Sequence, residues 1–308
     1  MWFTLTLWAC MANPGESLGS GDHKRTLDVG GRERHYLVHV PKDYDGRKPW
    51  PVVLAFHGGG SHAEQMIEFS GLNDKADEAK FVVVYPAGTG RLPRMLTFNA
   101  GNCCGYAQAQ QVDDVGFVNK LLDDLGTVLK VDEDRVFATG MSNGGLISYR
   151  LAAELSHRIA AIAPVGGPMG TDTCRPSRPV PVVHFHGIQD EFAPFAGGTG
   201  TKSLSRTHFF SVEHSIQNWV KANGCPVEPK VEKLTSKVDD GTSITRKTYG
   251  PGKQKAEVVL YEIEGAGHTW PGREPRLNFL GKTRQNLSAN DVMWEFFQRH
   301  PRILETGK

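Results

Sequence analysis

The sequence has almost no net charge, no apolar run long enough to cross a membrane and no cysteine spacing typical of a metal site. Of its 308 residues, 35 are basic and 34 are acidic, which gives a formal charge of +1. Surfaces that bind nucleic acid or anionic membranes need an excess of positive charge, so the composition argues against both partners. None of the five cysteines stands in a C-x-x-C pair near histidines, which argues against a zinc site.

The N-terminal residues form an apolar segment. Met1–Met11 is followed by a polar stretch rich in glycine and serine, which predicts a flexible linker. Eleven residues are too few for a helix that spans a bilayer. Two interpretations of this segment stay open. It is either the apolar part of an export signal, although it lacks the positive residues that usually precede that part, or a truncated or misassigned start that never becomes ordered. We expect a leader and linker over 1–21, one catalytic domain over 22–308, and a secreted or periplasmic protein. Cys10 stands where a lipoprotein would be acylated.

Four cysteines remain if Cys10 belongs to a leader, and they are Cys103, Cys104, Cys174 and Cys225. Disulfides are common in exported proteins, and four cysteines allow three pairings that the sequence does not rank. The adjacent Cys103 and Cys104 either bond to each other or serve two different partners.

Short apolar runs alternate with helical patterns along the rest of the chain. Trp50–Phe56 and Phe81–Tyr85 are continuously apolar, as is typical of strands that helices cover on both faces of a sheet. Apolar residues at helical spacing predict a helix over Val115–Leu129, with Asp113 or Asp114 as its N-cap. This alternation predicts an α/β fold in one domain, with a mostly parallel central sheet and helices on both faces.

The segment Ala87–Gln111 lacks any clear period. Loops of this length in a compact domain are usually functional or disordered. Its aromatic residues and two cysteines favour an ordered, functional loop.

The most informative motif surrounds Ser142. The sequence GMSNG has the G-x-S-x-G pattern, follows an apolar strand and precedes a helical pattern. In a nucleophile elbow the strand turns so sharply into the helix that side chains two residues from the serine would collide, and glycine avoids this. Glycine is common here, at 35 residues, so the pattern alone also fits a structural turn. Its place between strand and helix favours a catalytic serine.

A serine hydrolase also needs backbone donors that stabilise the negative oxygen of its intermediate. The sequence HGGG, from His57 to Gly60, follows the strand Trp50–Phe56 and matches the oxyanion motif of esterases. The expected donors are the backbone N–H groups of Gly59 and Asn143. We interpret His57 as structural, because it precedes the oxyanion loop in chain order.

The acid and the base are predicted from their positions after later strands. Asp190 follows the apolar run that ends at Phe185, and His268 lies in the glycine-rich loop EGAGHTWPG. Together with Ser142 they have the order Ser, Asp, His that α/β-hydrolases show. Glu191 is the near alternative for the acid. His184 and His186 lie in or at the end of a strand and are expected to be structural.

Taken together, these motifs make the chain similar to secreted α/β-hydrolases of the polyhydroxybutyrate depolymerase and feruloyl esterase family, akin to carbohydrate esterase family 1. The matching pieces include LAFHGGG, VVVYPAG, NCCG, GMSNGG and EGAGHTWPG, in family order from Arg32 to Gly272. The resemblance implies an α/β-hydrolase fold, Ser142 as nucleophile, Asp190 as acid, His268 as base, and no metal or organic cofactor. Phe98 stands where the family would have tryptophan.

The resemblance leaves the substrate open between plant hydroxycinnamate esters and polyesters. The length predicts a lone catalytic domain, which favours small or oligomeric esters over crystalline polymer. Four aromatic residues are candidates to line an acyl pocket, although each also fits ordinary packing: Trp270, Tyr106, Phe98 and Phe192. We expect a feruloyl- or cinnamoyl-type esterase, with a polyester depolymerase or oligomer hydrolase as the alternative. An inactive binding module of the same fold and a peptidase are further hypotheses.

Overall fold

The computed structural model describes residues 17–203, 205–234, 240–274, 278–283 and 287–303. The predicted leader, with Cys10, lies outside the described residues. Leu18, inside the predicted linker, is 5% exposed, and its N–H donates to Val128 O at 3.0 Å. The end of that linker therefore packs against the domain.

Within the described part of the chain, no helix has both the length and the apolar character needed to cross a membrane.

One sheet of ten strands forms the centre of the described structure. Its strands are β1 (Gly21–Val29), β2 (Arg32–Val40), β3 (Trp50–Phe56), β4 (Val82–Pro86), β5 (Val131–Met141), β6 (Ala161–Val165), β7 (Val182–Gly187), β8 (Lys230–Leu234), β9 (Ser243–Tyr249) and β10 (Val258–Glu264). Their order is β1-β2-β4-β3-β5-β6-β7-β10-β9-β8. The six strands from β4 to β10 in this order are parallel, and β2 and β9 pair antiparallel at their two ends. The predicted mostly parallel sheet is confirmed.

Helices cover both faces of this sheet. They are α1 (Ala63–Ser70), α2 (Leu72–Ala79), α3 (Gly105–Ala109), α4 (Asp114–Val128), α5 (Asn143–Glu154), α6 (Val212–Asn223) and α7 (Ala289–Arg299), with 3-10 turns at Lys253–Lys255 and Asn278–Leu280. One buried cluster joins α4, α5 and α6 to the sheet. The other joins α1, α2 and α7 to the opposite face. Apolar strand runs are therefore buried on both sides, which explains their composition.

The helix predicted over Val115–Leu129 is confirmed as α4. Asp113 is its N-cap, and the carboxylate accepts the N–H of Gly116 at 2.8 Å. Asp114, the other N-cap candidate, begins the helix and is fully buried. The long loop Ala87–Gln111 is ordered, as predicted, and contains the short helix α3.

The predicted catalytic residues all follow strands at the same edge of the sheet. Ser142 comes directly after β5, Asp190 follows β7 and His268 follows β10. Because these three strands are parallel, their carboxyl ends lie on one side of the sheet, where ligands bind in open α/β folds. The fold thus brings together residues that are far apart in the sequence, such as Asp190 and His268, which are 78 positions apart.

Candidate active site

Ser142 occupies a strained turn between β5 and α5. Its backbone has φ +56° and ψ −118°, a region that residues with a Cβ rarely adopt. A Cβ at Gly140 would lie 2.6 Å from the backbone of Gly144, and one at Gly144 would lie 2.1 Å from Phe56 O. Both positions therefore require glycine. Ser142 is half-buried between two buried neighbours, so this residue keeps accessible surface at the edge of the sheet.

His268 and Asp190 form a buried hydrogen-bonded pair. His268 Nδ1 lies 2.6 Å from Asp190 Oδ2, and the two residues are 6% and 5% exposed. The other oxygen, Oδ1, accepts the backbone N–H groups of Phe192 at 2.8 Å and Ala193 at 2.9 Å. A carboxylate can only accept, so Nδ1 of His268 carries the proton and Nε2 is left as the basic nitrogen. Glu191, the alternative acid, is exposed and pairs with Lys202.

The surroundings of Asp190 favour its charged form. Burial raises the pKa of this carboxyl, but the electrostatic interaction and hydrogen bond with His268, together with smaller contributions from His186 and the backbone N–H of Ala193, outweigh burial and hold the pKa below its ordinary value. Asp190 therefore stays ionised at neutral pH. An ionised carboxylate at this place orients the imidazole and stabilises its protonated form.

Gly166 separates the imidazole from the serine turn. Ser142 N–H donates to Val165 O at 2.9 Å, and Gly166 is the next residue. A Cβ at Gly166 would lie 3.3 Å from His268 Nδ1 and 3.1 Å from the Met141 Cε atom, and its φ of +57° also favours glycine. The imidazole thus lies against Gly166, the residue that follows the acceptor of the Ser142 N–H. The sequence does not reveal the importance of Gly166, because no local pattern around it indicates that His268 will lie beside it.

The glycine-rich loop lies beside the first turn of α5. The N–H of Gly60 donates to Leu96 O at 2.9 Å, so it is already engaged. Gly59 is exposed, and a Cβ there would lie 3.6 Å from the Cβ of Asn143. The N–H of Asn143 is at the start of a helix, where backbone donors lack partners within the helix. This placement suits the predicted pair of donors, Gly59 and Asn143, whose role stays a prediction.

His57 holds this loop in place. Its Nε2 accepts the N–H of Gly88 at 3.0 Å, and its Nδ1 therefore donates to Gly58 O at 2.8 Å. Burial lowers the pKa of His57 to about 4, so the ring is neutral at physiological pH. These contacts agree with the structural interpretation of this histidine.

The side chain of Asn143 fastens the long loop to the serine turn. Its Oδ1 accepts the N–H of Phe98 at 2.7 Å, and its Nδ2 donates to Phe98 O at 2.9 Å. The Phe98 ring is 1% exposed and packs against His57, with ring centroids 4.6 Å apart. Phe98 therefore anchors the loop, and its ring has no free surface for an acyl group, contrary to the expectation that it lines a pocket.

Trp270 is likewise packed in the interior. It is 1% exposed, its Nε1 donates to Asn290 Oδ1 at 2.9 Å, and its ring meets Phe69 edge to face. The expectation that it lines the acyl pocket does not fit this placement.

Phe192 and Tyr106 are the two pocket candidates that keep accessible surface. Phe192 stacks on the His268 ring with centroids 5.0 Å apart, and the 54% exposed Phe279 lies 6.1 Å beyond it. Tyr106 is half-buried, with the guanidinium of Arg32 6.0 Å from its ring. An aromatic surface therefore leads outward from the imidazole. Its contact with substrate stays a prediction.

The four described cysteines form one bonded pair and two free thiols. Cys103 and Cys104 are joined in a disulfide at the start of α3, the first of the two possibilities left open, while Cys174 and Cys225 are free thiols. Among the described residues, no group of three histidine, cysteine or acidic side chains is arranged to hold a metal ion.

The placement of a strained serine after β5, with its acid and base after later parallel strands, is that of an α/β-hydrolase. The acetyl xylan esterase from Aspergillus awamori has a similar fold, with a TM-score of 0.57 over 89% of this chain and 98% of that chain, at 15% identity. At this identity the likeness concerns the fold alone.

Two sequence relatives identify the family. The chain is 31% identical over 287 residues to NocK, a candidate esterase of Nocardia uniformis subsp. tsuyamanensis, which covers 88% of this chain and 81% of the relative. It is 25% identical over 294 residues to feruloyl esterase D of Neurospora crassa, covering 94% and 91%. No model of a protein family matches the sequence. The chain belongs to the polyhydroxybutyrate depolymerase and feruloyl esterase family and is a serine carboxylic ester hydrolase.

Proposed function

We propose that Ser142, Asp190 and His268 form the catalytic triad and that the natural substrate is a feruloyl- or cinnamoyl-type ester. The observation that carries the triad is the buried pair of His268 and Asp190, whose imidazole lies against Gly166, the residue after the acceptor of the N–H of the strained Ser142.

The reaction follows from the donors and acceptors at these three residues. His268 Nε2 takes the proton of Ser142 as its oxygen attacks the ester carbonyl, while Asp190 stabilises the imidazolium that forms. The N–H groups of Gly59 and Asn143 donate to the oxyanion of the tetrahedral intermediate. The imidazolium returns its proton to the leaving alcohol. Water then attacks the acyl-enzyme by the same route and releases the acid.

The aromatic surface beside the imidazole supports the substrate class. Phe192 and Phe279 provide stacked or tilted ring faces that continue outward from His268. A planar hydroxycinnamoyl group gains by offset stacking on such faces, about 0.5–1.5 kcal/mol for each aromatic contact beyond the burial of area. The relative named as a feruloyl esterase, which covers nearly the whole chain, supports the same class.

Release of ferulate from methyl ferulate tests this proposal, with Ser142→Ala as the blank. We expect turnover that depends on Ser142, with the variant at least about 10³-fold slower, since removal of a triad member leaves only oxyanion and binding effects. Turnover by Ser142→Ala near the rate of the unmodified chain would refute the triad. Cleavage of short aliphatic esters without cleavage of methyl ferulate would keep the triad and refute the substrate class.

Polyester oligomers are the second candidate substrate. The family includes polyhydroxybutyrate depolymerases, and the exposed Phe279 and Phe192 also suit a hydrophobic aliphatic chain. Release of hydroxybutyrate from short oligomers, with methyl ferulate left intact, would favour this alternative.

We also propose that the protein is exported, on the evidence of the apolar sequence Met1–Met11. Fractionation of the producing cells, with determination of the mature N-terminus, tests this. Recovery of the whole sequence from Met1 in the cytoplasm would contradict it.

A further inference from the structure

A chain of three buried side chains runs from α5, the helix that follows Ser142, to the loop that holds Asp190. Tyr149 OH lies 2.9 Å from His184 Nδ1, and His184 Nε2 lies 3.0 Å from His186 Nδ1. His186 Nε2 lies 2.8 Å from the backbone oxygen of Ala193. The three side chains are at most 1% exposed. The proposed mechanism does not use any of them.

The chemistry of the last acceptor sets the direction of every hydrogen bond in this chain. Ala193 O is a carbonyl and can only accept, so His186 Nε2 carries a proton and donates. In a neutral ring Nδ1 of His186 is then the acceptor, and His184 Nε2 must donate to it. By the same reasoning His184 Nδ1 accepts the Tyr149 hydroxyl proton. Burial lowers the pKa of both imidazoles, which keeps both rings neutral and their tautomers fixed.

The chain ends at the carboxylate that orients His268. His186 Nε2 lies 3.5 Å from Asp190 Oδ2, the same oxygen that meets His268 Nδ1 at 2.6 Å. Ala193, whose carbonyl accepts from His186, donates its own N–H to Asp190 Oδ1 at 2.9 Å. His186 therefore acts on Asp190 in two ways: its N–H lies close to Oδ2, and its hydrogen bond to Ala193 O holds the residue whose own N–H donates to Oδ1.

We propose that Tyr149, His184 and His186 are positioning residues that fix the Asp190 carboxylate, and through it the tautomer and the orientation of His268. This inference rests on the proposed roles of Asp190 and His268. The hydrogen bonds run in one direction and leave no donor or acceptor of the two rings unused, which is the condition under which a buried polar network gives a single geometry. The hydrogen bond of Tyr149 connects this network to α5, the helix that begins after Ser142. The proposed acid and the proposed nucleophile are therefore both in contact with elements that the same network joins.

The test compares His186→Leu with His186→Gln. Leucine removes the donor, whereas the glutamine amide nitrogen reaches the place of Nε2 and still donates to Ala193 O. We expect His186→Leu to lower kcat about 10- to 100-fold with KM nearly unchanged, since a small misplacement of a catalytic group affects the chemical step. We expect His186→Gln to recover most of this loss. In the NMR spectrum, the downfield resonance of the His268 Nδ1 proton should shift or broaden in His186→Leu and return in His186→Gln.

Two further variants separate positioning from stability. His300 is another buried histidine, 3.1 Å from Glu257, and His300→Leu should destabilise the fold while leaving kcat and the His268 resonance unchanged. Tyr149→Phe removes only the hydroxyl that begins the chain and should fold even if His186→Leu does not. Its expected effect is about a 3-fold loss in kcat, of the size of one neutral hydrogen bond.

The outcomes distinguish this inference from the proposed function. If Ser142→Ala is inactive but folded His186→Leu and Tyr149→Phe retain the kcat and the His268 resonance of the unmodified chain, the positioning role is refuted and the triad stands. If Ser142→Ala stays active, the proposed function fails, and the His268 resonance alone then decides whether the network fixes the pair of Asp190 and His268.

Discussion

Replacement of Asp114 by alanine removes a carboxylate that is buried beneath the long loop of the active site. Asp114 Oδ1 lies 2.7 Å from Arg34 Nη2, and the side chains are 0% and 2% exposed. Its other oxygen accepts the backbone N–H of Asn99 at 2.7 Å. Asn99 follows Phe98, the residue that Asn143 fastens to the serine turn. One carboxylate thus neutralises a buried cation and anchors the loop.

The size of the effect follows from what the substitution leaves behind. The Arg34 guanidinium keeps its hydrogen bond to Ala87 O at 3.0 Å and its position 3.9 Å from the Phe117 ring centroid, but it loses its counterion. Removal of one partner of a buried ion pair costs about 3–5 kcal/mol in the free energy of unfolding, because an uncompensated charge stays buried. The Asn99 N–H loses its acceptor at the same time, so we expect a value in the upper half of this range.

The neighbouring Asp113→Ala is a matched control. Like Asp114→Ala, it removes one carboxylate, but the Asp113 carboxylate is exposed and caps α4. Loss of an N-cap side chain costs about 1 kcal/mol in the free energy of unfolding. Urea unfolding of both variants at pH 7 measures the difference, which we expect to be about 3 kcal/mol. Methyl ferulate turnover should also fall in Asp114→Ala and remain unchanged in Asp113→Ala.

A double variant tests the reasoning further. Arg34→Leu with Asp114→Leu leaves no buried charge, so it should unfold at higher urea concentration than Asp114→Ala. It still lacks the acceptor for Asn99, and its activity should stay low. Equal stability losses in Asp114→Ala and Asp113→Ala would show that the buried pair contributes little and would refute this account.

Two further predictions concern residues around the oxyanion loop. His57 has a pKa of about 4 instead of 6.5, so between these values the unfolded chain binds a proton that the folded chain does not. The free energy of unfolding should therefore fall by about 3 kcal/mol from this residue as the pH drops from 6.5 to 4, and urea unfolding should show a smaller loss in His57→Gln. Asn143→Ala removes both hydrogen bonds to Phe98 and should cost about 2 kcal/mol, whereas Asn119→Ala, which loses one bond to Arg158, should cost under about 0.5 kcal/mol. Equal costs for these two asparagine variants would contradict the role of the Asn143 side chain.

The parallel core of the fold was predictable from the sequence, whereas the antiparallel strands β8 and β9 at one end of the sheet were not. Trp50–Phe56 forms β3 with the predicted bounds, because buried parallel strands are apolar throughout and need no knowledge of their neighbours. Strands β8 and β9 carry charged residues on exposed surface, with Arg246 Nη2 2.7 Å from Glu232 Oε2. Such strands lack the apolar signal, and their place in the sheet depends on pairing: β9 pairs with β10, and β8 pairs with β9.

The candidate catalytic residues were predictable for a different reason. Glycine at 140 and 144, and the order of Ser142, Asp190 and His268 after successive strands, are features of the chain itself. The roles of Trp270 and Phe98 were not, because a sequence shows that an aromatic residue lies near a catalytic residue but not on which side of the backbone its ring packs. Both rings face the interior, at 1% exposure.

The contacts that sequence analysis missed share one physical feature. Each joins a loop of the candidate site to a buried polar side chain from a distant element: Asn143 to Phe98, Asp114 to Asn99, and His186 to Ala193. Buried polar groups must be paired, and here the partner is the backbone of a loop that carries or supports a proposed catalytic group. A loop fixed in this way is positioned as precisely as the sheet beneath it. Loss of any one of these side chains should therefore change activity and stability together, even though none of them is proposed to contact the substrate through its side chain.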